Sequence, residues 1–258
     1  IHPPSTALKT IMITDLVTVS PMTEEEEVAN IVQRYDIIAL PVVDENRTLL
    51  GIITVDDVVD VIWEAHENQM MKMAGMADEY NPNEKNVWRA FKQRLTWLLI
   101  TLFGGMGMAE LIGVFEPTLS AEATLASFIP VMLGTGGNVG TQAATIAVRN
   151  LAVDKAAVIS SFSMLFREAK VGILLGLSFG VILGGYAYFR FKPLLGLAIF
   201  ISTLSTVFCA ALLGMMVPIT LHRLKIDPAV ATGPFVTTAI DLIAILIYFS
   251  TCVAILQL

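Results

Sequence analysis

Asp241 stands alone in the run VTTAIDLIAILIY, residues 236–248, and is the only charged residue across positions 230–256. A segment of that length and apolarity reads as a membrane-spanning helix. An ionised carboxylate near its middle costs at least ~2.5 kcal/mol on the insertion scale, so something must offset it. Gly233, Pro234, Thr237 and Thr238 precede the aspartate at one-turn spacing, and a proline there is expected to loosen carbonyls in the turn before it. Hydroxyls, freed carbonyls and a carboxylate are hard oxygen ligands, the kind Mg²⁺ or Ca²⁺ prefers. The competing structural role is a carboxylate paired with an arginine or kept protonated, but no basic residue lies near it in depth.

A second polar pattern runs through VMLGTGGNVGTQAATIAVRN. Thr135, Asn138, Gln142, Thr145 and Arg149 recur at +3, +4, +3, +4, which sets them on one helical face. Such a stripe is costly in lipid and is expected to face protein or water. Gly136 and Gly140 also form a small-xxx-small seam, the signature of close helix packing. A third group, Asp56, Asp57, Asp60, Glu64 and Glu67, clusters near the start of a long acidic segment. It is either a cation-responsive cluster or a solvated helix face.

Elements of two kinds must hold these groups. The chain of 258 residues is 55% hydrophobic and 15% charged, with a mean hydropathy of +0.71; a soluble domain carries about 25% charged residues. Residues 1–86 hold 16 acidic and 5 basic residues, a net of −11, whereas the rest carry a net of +4. An acidic soluble part thus precedes a membrane part, and the acidic face argues against nucleic acid as a partner. In the soluble part, TEEEEVANIVQRYD is a helix with acids in its first turn. IIALPVVD is expected to be a buried strand, LLGIITVDD a second strand, and VDDVVDVIWEAHENQMMKMAGM a long helix, an α-β-β-α order. The lead STALKTIM reads as a linker, and Asn81, Pro82 and Asn83 mark a break.

Five apolar segments follow, at about 95–115, 124–148, 171–189, 194–221 and 230–256. Lys85, Arg89, Lys92, Arg94, Arg149, Lys155, Arg167, Lys170, Arg223 and Lys225 fall on one side of these spans, against Arg190 and Lys192 on the other. The positive-inside rule then puts the acidic module in the cytoplasm and the C-terminus outside, across a plasma or bacterial inner membrane. Cys209 and Cys252 lie in apolar runs and resemble small hydrophobes rather than a disulfide; His2, His66 and His222 lack zinc-ligand spacing. The chain opens on Ile1 rather than Met, so native sequence is expected to be missing ahead of it.

PVMLGTGGNVGTQAATIAVR and DPAVATGPFVTTAIDLIAILIYF resemble the second and fifth membrane helices of the MgtE family of magnesium channels. LPVVDE and LLGIITVDDVVDV resemble the second of the paired CBS domains ahead of that family's membrane part. The resemblance implies a helical membrane protein of five transmembrane helices with a small α+β CBS domain: residues 1–67 as the regulatory module, 68–94 as connecting helix and linker, and 95–258 as the pore domain. It also implies a homodimer whose pore lies between protomers, with the central metal site formed by the residue matching Asp241. Asn138 matches a pore-side asparagine, and Thr237 and Gly233 complete the pore candidates. Two facing carboxylates on a two-fold axis would hold Mg²⁺ without stripping its waters.

Asp56, Asp57, Asp60, Glu64 and Glu67, with Asp227 at the start of the fifth helix, are the regulatory Mg²⁺ candidates that the resemblance implies. Loss of Mg²⁺ would let the carboxylates repel and loosen the module; binding would compact it and close the pore. The chain departs from the family pattern at Asn68 and Gln69, where further acids are common. CBS domains often bind adenine nucleotides such as ATP, and Thr54 and Asp57 carry the T-x-x-D spacing that could meet phosphate and ribose; a helix cap explains the same pair. A carrier coupling divalent cations to Na⁺ or H⁺ would need a second coupling site, and Glu110 sits near the outer end of its span. An intramembrane aspartyl hydrolase would need two carboxylates sharing a site in one chain, so no enzyme is expected.

Overall fold

The computed structural model describes residues 14–76, 86–153, 161–231 and 233–258, with isolated residues 3, 7, 9 and 12 ahead of them. The break expected at Asn81, Pro82 and Asn83, the basic residues Lys85 and Lys155, and most of the STALKTIM lead lie outside the described residues. The chain forms two compact units, residues 1–68 and 69–258.

The first unit is the expected α-β-β-α. Helix α1 (Glu25–Tyr35) carries Glu25, Glu26 and Glu27 in its first turn and buries Val28, Ala29 and Val32. It ends at Asp36 in the left-handed conformation. Strands β1 (Ala39–Val43) and β2 (Leu49–Thr54) pair antiparallel, Leu40 opposite Ile53. Their turn is closed by Asp44, whose Oδ1 accepts the N–H groups of Asn46 and Thr48. Helix α2 (Val55–Met73) follows β2 directly. The core gathers Val19, Val28, Val32, Leu40 and Val58. The buried strand expected from IIALPVVD is buried only at Leu40, and β2 leaves Leu49, Leu50 and Ile52 exposed. Two strands with helices on one side cover one face of the sheet, so a β-branched run does not require burial on both.

The second unit is helical. It comprises α3 (Val87–Val114), α4 (Glu116–Ala121), a 3₁₀ turn (Ala123–Phe128), α5 (Ile129–Val153), α6 (Ser161–Arg190), α7 (Pro193–Arg223) and α8 (Pro234–Leu256). Asn86 caps α3 by accepting the Trp88 N–H. Among the described residues, four helices are long and apolar enough to cross a membrane: α3, α6 from Phe162, α7 and α8. Helix α5, which carries the polar stripe, falls short of that apolarity, although it buries Met132, Val139, Ala143, Ala144, Ala147 and Val148.

Two helices extend beyond their apolar cores. Helix α3 starts at Val87 rather than near 95, and α6 at Ser161 rather than 171, so Arg89, Lys92, Arg94, Arg167, Glu168 and Lys170 belong to helices and not to loops. Hydropathy marks where a helix meets lipid, whereas backbone hydrogen bonding continues past that level. Packing of α6 on α7 follows four glycines one turn apart: Cβ atoms built at Gly172, Gly176, Gly180 and Gly184 would crowd Ala211, Leu204 and Phe200. The largest core surrounds Tyr248 and Phe249 of α8, with Phe128, Met132, Leu195 and Ile199. There the Tyr248 hydroxyl donates to the Leu125 carbonyl at 2.8 Å.

Candidate metal-binding site

Helix α8 starts at Pro234, with Gly233 buried ahead of it. A proline in the first helical position lacks only an N–H that has no partner there anyway. The expectation that Pro234 loosens carbonyls is therefore corrected. Its own carbonyl accepts both neighbouring hydroxyls, from Thr237 at 3.0 Å and Thr238 at 2.7 Å, and the Gly233 carbonyl accepts the Val236 N–H. The oxygens left at this end are hydroxyl lone pairs.

Two turns further on, Asp241 is half-buried, and its Oδ1 is buried without a hydrogen-bond partner. Buried polar atoms are nearly always satisfied, and an orphaned carboxylate oxygen is the most costly kind to leave. It lies against α5, where a Cβ built at Gly137 would sit 3.3 Å from it. The other such buried atom among the described residues, Thr206 Oγ1, belongs to a side chain packed on Gly136.

Helix α5 serves both roles its sequence offers, on different faces. Gly136 and Gly140 face inward: a Cβ at Gly136 would meet Thr206, Ala244 and Ile240, and one at Gly140 would run into Ile240 and stand 3.3 Å from the Ala210 carbonyl. The polar stripe lies outward. Asn138, Gln142, Thr145 and Arg149 are exposed and Thr135 is half-buried. Asn138 thus adjoins the glycine that meets Asp241. An exposed row of amides and hydroxyls on an otherwise apolar helix needs water or another polar surface beside it. Among the described residues no three Asp, Glu, His or Cys side chains converge.

The remaining candidates fall on α2 and at the approach to α8. Asp56, Asp57, Asp60, Glu64 and Glu67 are all exposed. The Thr54 hydroxyl donates to Asp57 Oδ2 at 2.9 Å, and the Thr54 N–H reaches the same oxygen at 3.4 Å, the geometry of a helix cap. Asp227 has partners of its own. One of its oxygens accepts from Lys72 Nζ at 2.7 Å and the other from the Ala229 N–H at 2.9 Å.

Sequence reasoning missed Lys72 and Glu168. Lys72 is the one charge in QMMKMAGM, a signal that its ammonium has a specific partner. Glu168 is 5% exposed within α6; nothing in its local pattern separates it from Arg167 and Lys170.

Residues 129–251 match the MgtE family, described as a divalent cation transporter, and residues 8–64 match the CBS domain. The chain is 33% identical over 252 residues to a protein of Bacillus subtilis, covering 97% of this chain and 56% of that one. It is 38% identical over 256 residues to one of Thermus thermophilus, covering 98% and 57%. A third, from Enterococcus faecalis, is 36% identical over 228 residues, covering 88% and 50%. All three are named magnesium transporter MgtE, and the chain spans about half the length of these relatives. With the polar-faced helix and the lone acid of α8 inside the first match and the strands of the α-β-β-α module inside the second, the chain carries an MgtE divalent cation transporter domain and a CBS domain.

Proposed function

We propose that this chain forms a homodimeric, magnesium-selective channel in a plasma or bacterial inner membrane, with its N-terminal module in the cytoplasm and its C-terminus outside. The observation that carries this reading is the buried, unpartnered Oδ1 of Asp241 against Gly137. A two-fold axis beside the exposed stripe of α5 brings two such carboxylates together. Their charges match one Mg²⁺, and the ion offsets the cost of carrying acids at that depth. Mg²⁺ dehydrates reluctantly and keeps several waters, so two carboxylates flanked by Asn138 and the Thr237 hydroxyl suffice. A sparse site also releases its ion, as conduction requires.

Control comes from the acids of α2. With Mg²⁺ scarce, Asp56, Asp57, Asp60, Glu64 and Glu67 repel one another; bound Mg²⁺ relieves the repulsion and favours a compact, closed state. An adenine nucleotide at Thr54 and Asp57 would have to displace the hydrogen bond the two share. A Na⁺- or H⁺-coupled carrier is the second reading, favoured by Glu168 as a buried acid near the start of a candidate span. Bilayer recording with Mg²⁺ as the permeant cation decides between them. Resolved unitary currents are expected; saturating flux that follows a Na⁺ or H⁺ gradient, without unitary currents, would establish the carrier.

A further inference from the structure

The end of α2, which from Gln69 onward belongs to the second unit, forms a hook that grips the start of α8, and three contacts make it. Its last turn closes by Met76 N–H to the Met71 carbonyl and Gly75 N–H to the Lys72 carbonyl, with Gly75 at φ +76°. Gly75 is buried against Pro234, whose ring atoms a Cβ there would meet at 2.6 and 2.8 Å. A Cβ at Gly233 would in turn stand 3.1 Å from the Met73 carbonyl oxygen and 3.2 Å from Gly75 N. Between these backbone contacts sits the ion pair of Lys72 with Asp227. Asp227 also fixes the turn leading to α8, through the Ala229 N–H.

Asp227 therefore does not have the donor set of a waiting metal site. Both oxygens are engaged, one of them by a cation belonging to the chain itself. We propose that Lys72 is a tethered counter-cation, occupying on Asp227 the place a divalent ion would take, so that α2 holds the start of α8 without metal at this point. A tethered group acts at an effective concentration on the order of mM, which a free ion must exceed to displace it. Lys72 is a positioning residue in this account. It acts through Asp227 and the turn on the helix that carries Asp241, and the regulatory part of the inference rests on the proposed Mg²⁺ gating.

The test is a double-mutant cycle on the purified protein, melted in EDTA. Lys72→Met and Asp227→Asn are each expected to lower the melting midpoint by about 2 °C, as for a partly exposed ion pair. The double variant should fall no further than the lower single, and Lys72→Arg should keep the parent value. Additive losses in EDTA would overturn the proposal. Mg²⁺ titration supplies a second readout. With Lys72→Met the freed carboxylate should bind Mg²⁺, shifting inhibition of liposome flux to at least about threefold lower Mg²⁺; in an Asp227→Asn background that shift should vanish. An unchanged Mg²⁺ response in Lys72→Met would also overturn the proposal. If the parent carries no Mg²⁺ flux, the functional reading fails, while the EDTA cycle still judges the ion pair.

Discussion

Asp227 and Asp241 lie on the same C-terminal stretch and carry the same side chain, yet they meet opposite surroundings. Asp227 is 42% exposed, and each of its oxygens has a partner within the chain. Asp241 is deeper, and its buried oxygen has none. Water would satisfy an exposed orphan at little cost, but a buried one demands a partner. In the proposed reading the difference separates a carboxylate that positions a helix from one that takes a cation.

Neutralising the two in turn tests this contrast most severely. Asp241→Asn is expected to cut Mg²⁺ flux by about two orders of magnitude, equivalent to ~2.7 kcal/mol. The protein should still fold and insert, because an amide is cheaper than a carboxylate in the membrane. Asp227→Asn should leave conduction through the open pore intact and alter only gating and melting. Equal flux losses in liposomes would erase the distinction.

The glycine beside each aspartate sharpens it. Gly137→Ala puts a methyl 3.3 Å from Asp241 Oδ1, and flux should fall several-fold with little change in melting. Gly75→Ala meets both a positive φ and the Pro234 ring. It should cost roughly 1–2 kcal/mol of stability without narrowing the site. Calorimetry and flux on the same preparations read both effects.

The smallest effect is expected at another ion pair, Lys192 with Glu122 at 2.7 Å. The hydrogen bond from Lys192 holds the Glu122 carboxyl below its ordinary 4.5. A depressed folded-state value gives stability that is present above pH 4.5 and lost as pH falls through the folded value. Glu122→Gln should flatten that acid limb of a melting curve and leave Mg²⁺ gating untouched. A gating change there would mean that any ion pair in this unit affects α8, and Lys72 would lose its special place.

Much of this contrast was visible in the amino-acid order, because its determinants are local. An acid amid apolar residues, polar side chains at helical spacing, and a β-turn-β pattern each announce themselves within a few turns of chain. The Lys72–Asp227 pair joins residues 155 positions apart, and no periodicity records such a meeting. The same holds for the glycines. Spacing identifies Gly136 and Gly140 as a seam, but only the assembled helices show that the seam and the polar stripe divide one helix between two faces. The effect of Pro234 is not legible in the sequence, because it depends on whether a helix begins before it or at it. Glu168 is hidden from hydropathy, because it lies among the basic residues of a helix that extends beyond its apolar core.

Anomalous scattering from crystals of the protein equilibrated with Mn²⁺, compared with Asp241→Asn, tests most directly whether Asp241 is the ion site. One Mn²⁺ peak between the Asp241 carboxylates of two copies, absent from the variant, is the predicted result. A peak that persists at full height in Asp241→Asn, or Mn²⁺ bound elsewhere along the α5 stripe with none at Asp241, would contradict it.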